Sequence, residues 1–255
     1  MNVIVLSKFI PNPTGTPELG DDFLVKREGV EGGLDPGDEY AVEAALQIAE
    51  KTGGEVTVVS MGPEPALAAV RKALSLGCAK GVLVTDDGLR GSDVLVTATV
   101  LAKAIEREGF DLLLAGVEST DGSTGTLPMA LAELLGVPSL TFARKVDVAD
   151  GSVTIERQTE AGYDVVQCPL PALVTVTAGA TEPRYPTLKG IMQAKQKPVD
   201  QRSLSDLGLS ADDAKPTQRV TRIEDAPERG AGEIVENESR AADRIAQFLQ
   251  EAKVL

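Results

Sequence analysis

Residues 110–136 read FDLLLAGVESTDGSTGTLPMALAELLG. An apolar run, DLLLAG, passes into a small-residue polar stretch, STDGSTGTLP (119–128), and then into a helical pattern, PMALAELLG. A continuous apolar run closed by glycine reads as a buried strand, and strand followed at once by helix is the repeating unit of a parallel sheet.

The same alternation runs outward on both sides. VIVLSKF (3–9), EVTVVSMG (55–62) and KGVLVTD (80–86) read as further buried strands. Between them, LDPGDEYAVEAALQIAEKTGG offers Asp35 as N-cap, Pro36 at the first helical position, acids in the first turn and a Gly53-Gly54 stop. EPALAAVRKALSLG (64–77) and SDVLVTATVLAKAIEREG (92–109), the latter with Ser92 as its expected N-cap, supply two more helices. Strand–helix alternation implies parallel strands joined by right-handed crossovers. The predicted fold is α/β, a mostly parallel sheet with helices on both faces.

Composition agrees. Of 255 residues, 42% are hydrophobic but only 3% aromatic, so the core is built from Val, Leu, Ile and Ala, as parallel strands under Ala-rich helices require. A net charge of −14 argues against nucleic acid and against anionic membrane surfaces, both of which select Lys and Arg. No apolar run reaches the about 18 residues of a membrane span. The start, MNVIVLSKFI, reads as a first strand and not as a signal peptide. Cys78 and Cys168 stand far apart in apolar surroundings, which fits inert thiols in a reducing cytoplasm. The chain has no histidine, so Ser-His and Cys-His catalysis is excluded.

The pattern changes near residue 144. RKVDVADGSVTIERQT alternates around Asp150-Gly151, a β-hairpin signal inserted in the α/β order. CPLPALVTVTAG (168–179) returns to a buried strand. From about residue 181 the chain is rich in Pro, Lys and Asp. There, 236–253 reads as a helix on an extension too poor in apolar residues to form its own core.

The stretch at 119–128 lies beyond the carboxyl end of a strand, where open parallel sheets bind ligands. Gly122 and Gly125 permit positive φ and close approach. Ser123, Thr124 and Thr126 offer hydroxyl donors, and the free amides at the helix start favour an anion. These features suit a phosphate. They equally suit an ordinary turn with capping hydroxyls. The stretch lacks the P-loop ending and the dinucleotide fingerprint.

Five segments together resemble the β subunit of electron-transfer flavoproteins: LDPGDEYAVEAAL (34–46), VSMGP (59–63), STDGSTGTLPMALAELLGVP (119–138), IERQTEAGYDVVQCPLPALVT (155–175) and EPRYPTLKGIMQAKQKP (182–198). In the fourth, Arg157, Glu160, Gly162 and Pro171 match the family signature, while Ala161 and Asp164 depart from it.

The resemblance implies an adenine-nucleotide-hydrolase-like sheet with flavodoxin-like layering. It implies a heterodimer whose α subunit carries the redox-active FAD and whose β subunit buries a structural AMP. Electrons come from acyl-CoA dehydrogenases and related flavoenzymes and go to a membrane quinone oxidoreductase. By position, the AMP site is implied at Leu6, Ser7, Asp35, Pro36, Met61, Asp121, Gly122, Ser123, Thr124, Gly125, Thr126, Leu127, Met129 and Ala130. The implied organisation is a nucleotide-binding domain over 1–182, a partner recognition loop over 183–200 and a C-terminal arm over 201–255 that packs on the α subunit.

In YPTLKGIMQAKQK (185–197), Pro186 can open a short helix that puts Leu188, Ile191 and Met192 on one face. Lys189, Lys195 and Lys197 flank them. Read from residues alone, the segment is a packed connector or a docking element. The resemblance makes it the latter, with Leu188 the anchor and the lysines a steering rim. Alternatives are a stand-alone adenine-nucleotide sensor of universal-stress type, an ATP-dependent ligase, or an electron-bifurcating member with a second FAD in place of AMP.

Overall fold

The apolar runs form strands in one mixed sheet. Among the described residues, seven strands run parallel: β1 (Asn2–Leu6), β4 (Glu55–Met61), β5 (Lys80–Val84), β6 (Leu112–Gly116), β7 (Ser139–Ala149), β10 (Ala172–Val176) and β11 (Val199–Arg202). The strands β8 (Ser152–Thr159) and β9 (Gly162–Pro169) extend it antiparallel, giving the order β11-β5-β4-β1-β6-β10-β7-β8-β9. A separate ribbon pairs β2 (Phe9–Pro11) with β3 (Gly32–Leu34). The computed structural model describes residues 1–12, 18–27, 29–224, 230, 232–235 and 238–254.

Both faces of the parallel sheet are dry. Val3, Val5, Leu112, Leu114 and Val174 join one cluster with α1 (Pro36–Thr52) and α2 (Leu67–Leu76). Their neighbours Ile4, Leu6, Leu113, Ala115 and Leu173 join the other, with α3 (Val94–Glu108) and α4 (Leu127–Leu135). Alternate side chains of a strand point to opposite faces, so strands covered on both sides are largely apolar, with Thr175 of β10 and Ser60 of β4 as buried polar exceptions.

The helix signals were legible. Asp35 caps α1 by accepting the Gly37 amide at 2.8 Å, Pro36 is its first residue, and Gly53 closes it in the left-handed conformation. The cap of α3 is Asp93, not Ser92 as the sequence suggested. The Asp93 carboxylate reaches the Val96 amide at 2.9 Å, whereas the Ser92 hydroxyl turns back to the Leu89 carbonyl at 2.7 Å. The hairpin also forms, with Asp150 and Gly151 at φ 50° and 74° joining β7 to β8, the positive-φ pair that a two-residue hairpin requires.

Other elements differ from the expectation. The first strand stops at Leu6, and Phe9–Pro11 leaves the main sheet for the ribbon with β3. Pro186 does not open α5 (Leu188–Ala194), because Thr187 stands between them as its N-cap and accepts the Gly190 amide at 3.0 Å.

The chain returns to the sheet at β11, which pairs in parallel with β5. Arg202 on β11 meets Asp200 at 2.6 Å and also Glu108 at the end of α3, which binds Lys80 at 2.8 Å. These charges hold a polar strand at an edge where periodicity gives no signal. Leu204, Leu207 and Ala214 then join the cluster under α3 and α4. The first compact unit accordingly runs from Met1 to Thr221, and the first residues of the expected arm lie within it.

The second unit is Arg222–Leu255. Its helix α6 (Glu238–Glu251) falls within the expected 236–253, of which Glu236 and Asn237 lie outside the described residues. Arg244 of α6 binds Glu233 at 2.6 Å, and Ile245 and Phe248 are exposed. No helix among the described residues is long and apolar enough to cross a membrane.

Candidate functional site

The 117–126 loop leaves β6 and enters α4, and its partners come from β1 and α1. Asp35 is fully buried at the start of α1. It accepts the Thr120 amide at 2.7 Å and the Thr120 hydroxyl at 2.9 Å while capping its own helix. One carboxylate therefore pins the loop to α1. Lys8, just past β1, donates through Nζ to Ser119 at 3.0 Å and to Asp121 at 2.7 Å, and Arg27 also pairs with Asp121. Burial alone would push the Asp121 carboxyl up, but the two cations outweigh it and hold it below the usual carboxylate range. Asp38 takes the opposite course. Burial and the neighbouring Asp35 push it up to about 8, against the Lys8 amide that donates to it at 2.7 Å.

The implied AMP residues lie at these strand ends and at the helix start. Leu6 is buried, and Met61, Leu127 and Ala130 pack against the same cluster. Pro36 is exposed on the first turn of α1. Gly122 lies against Ser119 and the Lys8 ammonium. Ser123 and Gly125 both take positive φ, 44° and 61°, and Thr124 is exposed beside them. Thr126 begins α4 without capping it through its side chain, and Pro128 fills the second position. The Leu127 and Met129 amides in that first turn thus have no acceptor in their own helix.

Two further observations bear on a ligand. The hydroxyls of Ser7, at the end of β1, and Ser60, near the end of β4, are buried with no hydrogen-bond partner. Buried polar groups are ordinarily satisfied, so an orphaned pair at strand ends fits a polar ligand. Lys8 and one nitrogen of Arg27 are engaged by Asp121, but Arg27 Nη1 is also buried without a partner, so an anion here would be held by amides, hydroxyls and that guanidinium N–H. That is the chemistry of a nucleotide phosphate on a helix start.

Lys8, Arg27, Asp38 and Ser60 were not singled out from sequence. Each matters through a fold contact, and a lone charge or hydroxyl carries no local signal. Lys8 and Ser60, each closing an apolar run, stood where such a signal could be found.

The second candidate region lies elsewhere. Leu188 is 83% exposed, Met192 71% and Ile191 43%, an apolar face open to solvent. Lys189 and Lys195 are exposed around it. Lys197 is not with them, for its ammonium is turned inward onto the carbonyls of Leu74 and Cys78. The chain reaches α5 from Arg184, whose guanidinium grips Glu43 at 2.7 and 3.0 Å and Glu50 at 2.6 Å, both on α1. Those carboxylates stabilise the guanidinium and push its pKa further up. Both cysteines are free, and burial pushes the Cys78 thiol up to about 12.

Residues 22–207 match the model of the electron transfer flavoprotein domain. The electron transfer flavoprotein subunit beta of Mycobacterium tuberculosis is 42% identical over 264 residues, covering all of this chain and 99% of that one. The subunit beta of Bacillus subtilis is 36% identical, covering 91% of both chains. Subunit CarD of the caffeyl-CoA reductase-Etf complex of Acetobacterium woodii is 34% identical, covering 92% of both.

Proposed function

Because the chain belongs to the electron transfer flavoprotein family, as a β subunit, we propose that it holds one structural AMP and forms the non-bifurcating kind of carrier. In this reading an α subunit binds FAD, which supplies the redox chemistry. The heterodimer takes electrons from acyl-CoA dehydrogenases and related flavoenzymes of fatty-acid β-oxidation and delivers them to a membrane quinone oxidoreductase. The β chain is an electron-carrier subunit of the cytoplasm with no substrate turnover of its own.

The observation that supports the AMP reading is the orphaned pair of buried hydroxyls, Ser7 and Ser60, at strand ends, together with the unpartnered Nη1 of Arg27 beside the loop. Ser123, Thr124 and Thr126 with the amides of Gly125, Thr126, Leu127 and Met129 would hold the phosphate. Asp35, Lys8 and Asp121 would keep the loop in place. Leu6 and Met61 would flank the adenine. The apolar face of Leu188, Ile191 and Met192 would dock the donor dehydrogenase. The arm over 222–255 would pack on the α subunit, Ile245 and Phe248 being the exposed apolar groups for that contact.

The likeness to β subunits over their whole length sets aside a stand-alone nucleotide sensor and a ligase. The likeness to a subunit of a reductase complex keeps one competing reading, a second FAD in place of AMP. Acid release of nucleotide from the purified heterodimer decides between them. One AMP and one FAD per heterodimer are expected. Two FAD and no AMP would establish the bifurcating type, and FAD alone at one per heterodimer would leave the loop an ordinary turn.

A further inference from the structure

α2 and α5 lie side by side and cap each other. Arg71 on α2 donates through Nη1 to the carbonyls of Ala194 and Lys197, both at 2.7 Å, where α5 ends. Lys197, just beyond α5, donates through Nζ to the carbonyls of Leu74 at 2.9 Å and Cys78 at 2.7 Å, where α2 ends. The last carbonyls of a helix have no partner within it. Here each helix end receives a cation from the other, with the sign that the helix dipole favours at a C-terminus.

The contact between them is close. A Cβ built on Gly190 would lie 2.5 Å from the Ser75 carbonyl oxygen, so no larger residue fits without moving the backbone of α2 or α5. Ala194 is buried in the same contact. α5 has seven residues, well under the about 12–15 at which an isolated helix becomes marginally stable. Its conformation is therefore imposed by α2.

We infer that Arg71 and Lys197 are positioning residues for donor docking. Neither belongs to the exposed apolar face. They hold α5 helical, so that Leu188, Ile191 and Met192 share one face before any partner arrives, and binding does not have to order the segment. This inference rests on the docking reading of α5.

The test uses the complete heterodimer as the varied substrate of an acyl-CoA dehydrogenase. Arg71→Gln and Lys197→Met are expected to raise its KM about three- to tenfold, the cost of ordering a few side chains at binding. The kcat and flavin content should stay at wild-type values, the unfolding midpoint should fall only slightly with the lost caps, and Lys197→Arg should restore KM. Hydrogen exchange of the 188–197 peptide should quicken in both variants. In Arg71→Gln/Leu188→Ala the KM increase should fall well short of the product of the single effects, because both act on one contact.

Wild-type KM in Arg71→Gln and Lys197→Met, or effects that simply multiply, would overturn the inference. So would loss of flavin and midpoint in place of a KM change. If Leu188→Ala raises KM while Arg71→Gln does not, the positioning role alone fails. If Leu188→Ala itself leaves KM unchanged, the docking reading fails first and this inference with it.

Discussion

The loop at the end of β6 and the helix seated on α2 are opposite in kind. In the loop region polar groups are buried, and two hydroxyls, Ser7 and Ser60, lie inside without partners. On α5 the backbone ends are satisfied by Arg71 and Lys197, while large apolar side chains stand in solvent. Unmet polar groups inside point to a small ligand that brings hydrogen bonds. Unmet apolar surface outside points to a macromolecule that brings a matching pocket. The two regions have separate supports, so each should be breakable without the other.

The largest effect is expected at Gly125. Its φ of 61° is one that a β-branched residue adopts only with strain, about 1–3 kcal/mol by general experience. Gly125→Val should re-aim the loop and remove bound AMP, impairing assembly while leaving donor recognition by α5 intact. Nucleotide counted per heterodimer checks this, and unchanged occupancy would sink the phosphate role of the loop.

Leu188→Ala tests the other side. Burial of a leucine in a partner pocket contributes roughly 1.5–3 kcal/mol, so KM for the carrier should rise about ten- to a hundredfold. AMP and FAD content should not change. A variant with altered cofactor content would show that the two regions are coupled after all.

At Asp38 the effect is read as stability against pH. Its folded pKa is pushed from 3.8 to about 8. Between those values the folded chain keeps a proton that the unfolded chain has lost. Stability therefore falls as pH rises through that window, by at most about 1.4 kcal/mol per pH unit. Asp38→Asn keeps an acceptor for the Lys8 amide and should flatten the slope of the urea midpoint between pH 5 and 8. Equal slopes in the two proteins would mean that Asp38 is ionised in the fold.

The smallest effect belongs to the rim. Lys189→Gln with Lys195→Gln should slow association with the donor a fewfold at low salt and hardly at all near physiological ionic strength, since exposed charges are screened beyond about 8–10 Å. Stopped-flow rates at two salt concentrations measure it. A loss independent of salt would indicate direct contacts in place of steering.

What could be read in advance follows the range of the interactions. The caps at Asp35 and Gly53 and the Asp150-Gly151 turn are settled by neighbours a few residues away, and they were legible. Ser92 yielded to Asp93 because two adjacent capping residues look alike until the backbone chooses one. The β11 strand was invisible, for VDQR has no apolar alternation and is held by Glu108 from a distant helix. The loop glycines and hydroxyls were found as a cluster. Lys8 and Arg27 were missed because they reach Asp121 across 113 and 94 residues. The inward turn of Lys197 was missed because its partners are carbonyls, which every residue has.

The α5 segment is fixed where it begins, by Arg184 on α1, and where it ends, by β11 on β5. Everything that faces outward between those staples is therefore interchangeable without disturbing the sheet. Residues 185–198 form a cassette, and exchanging it for that of another β subunit, with Gly190, Ala194 and Lys197 kept, should transplant a donor preference from one carrier to another.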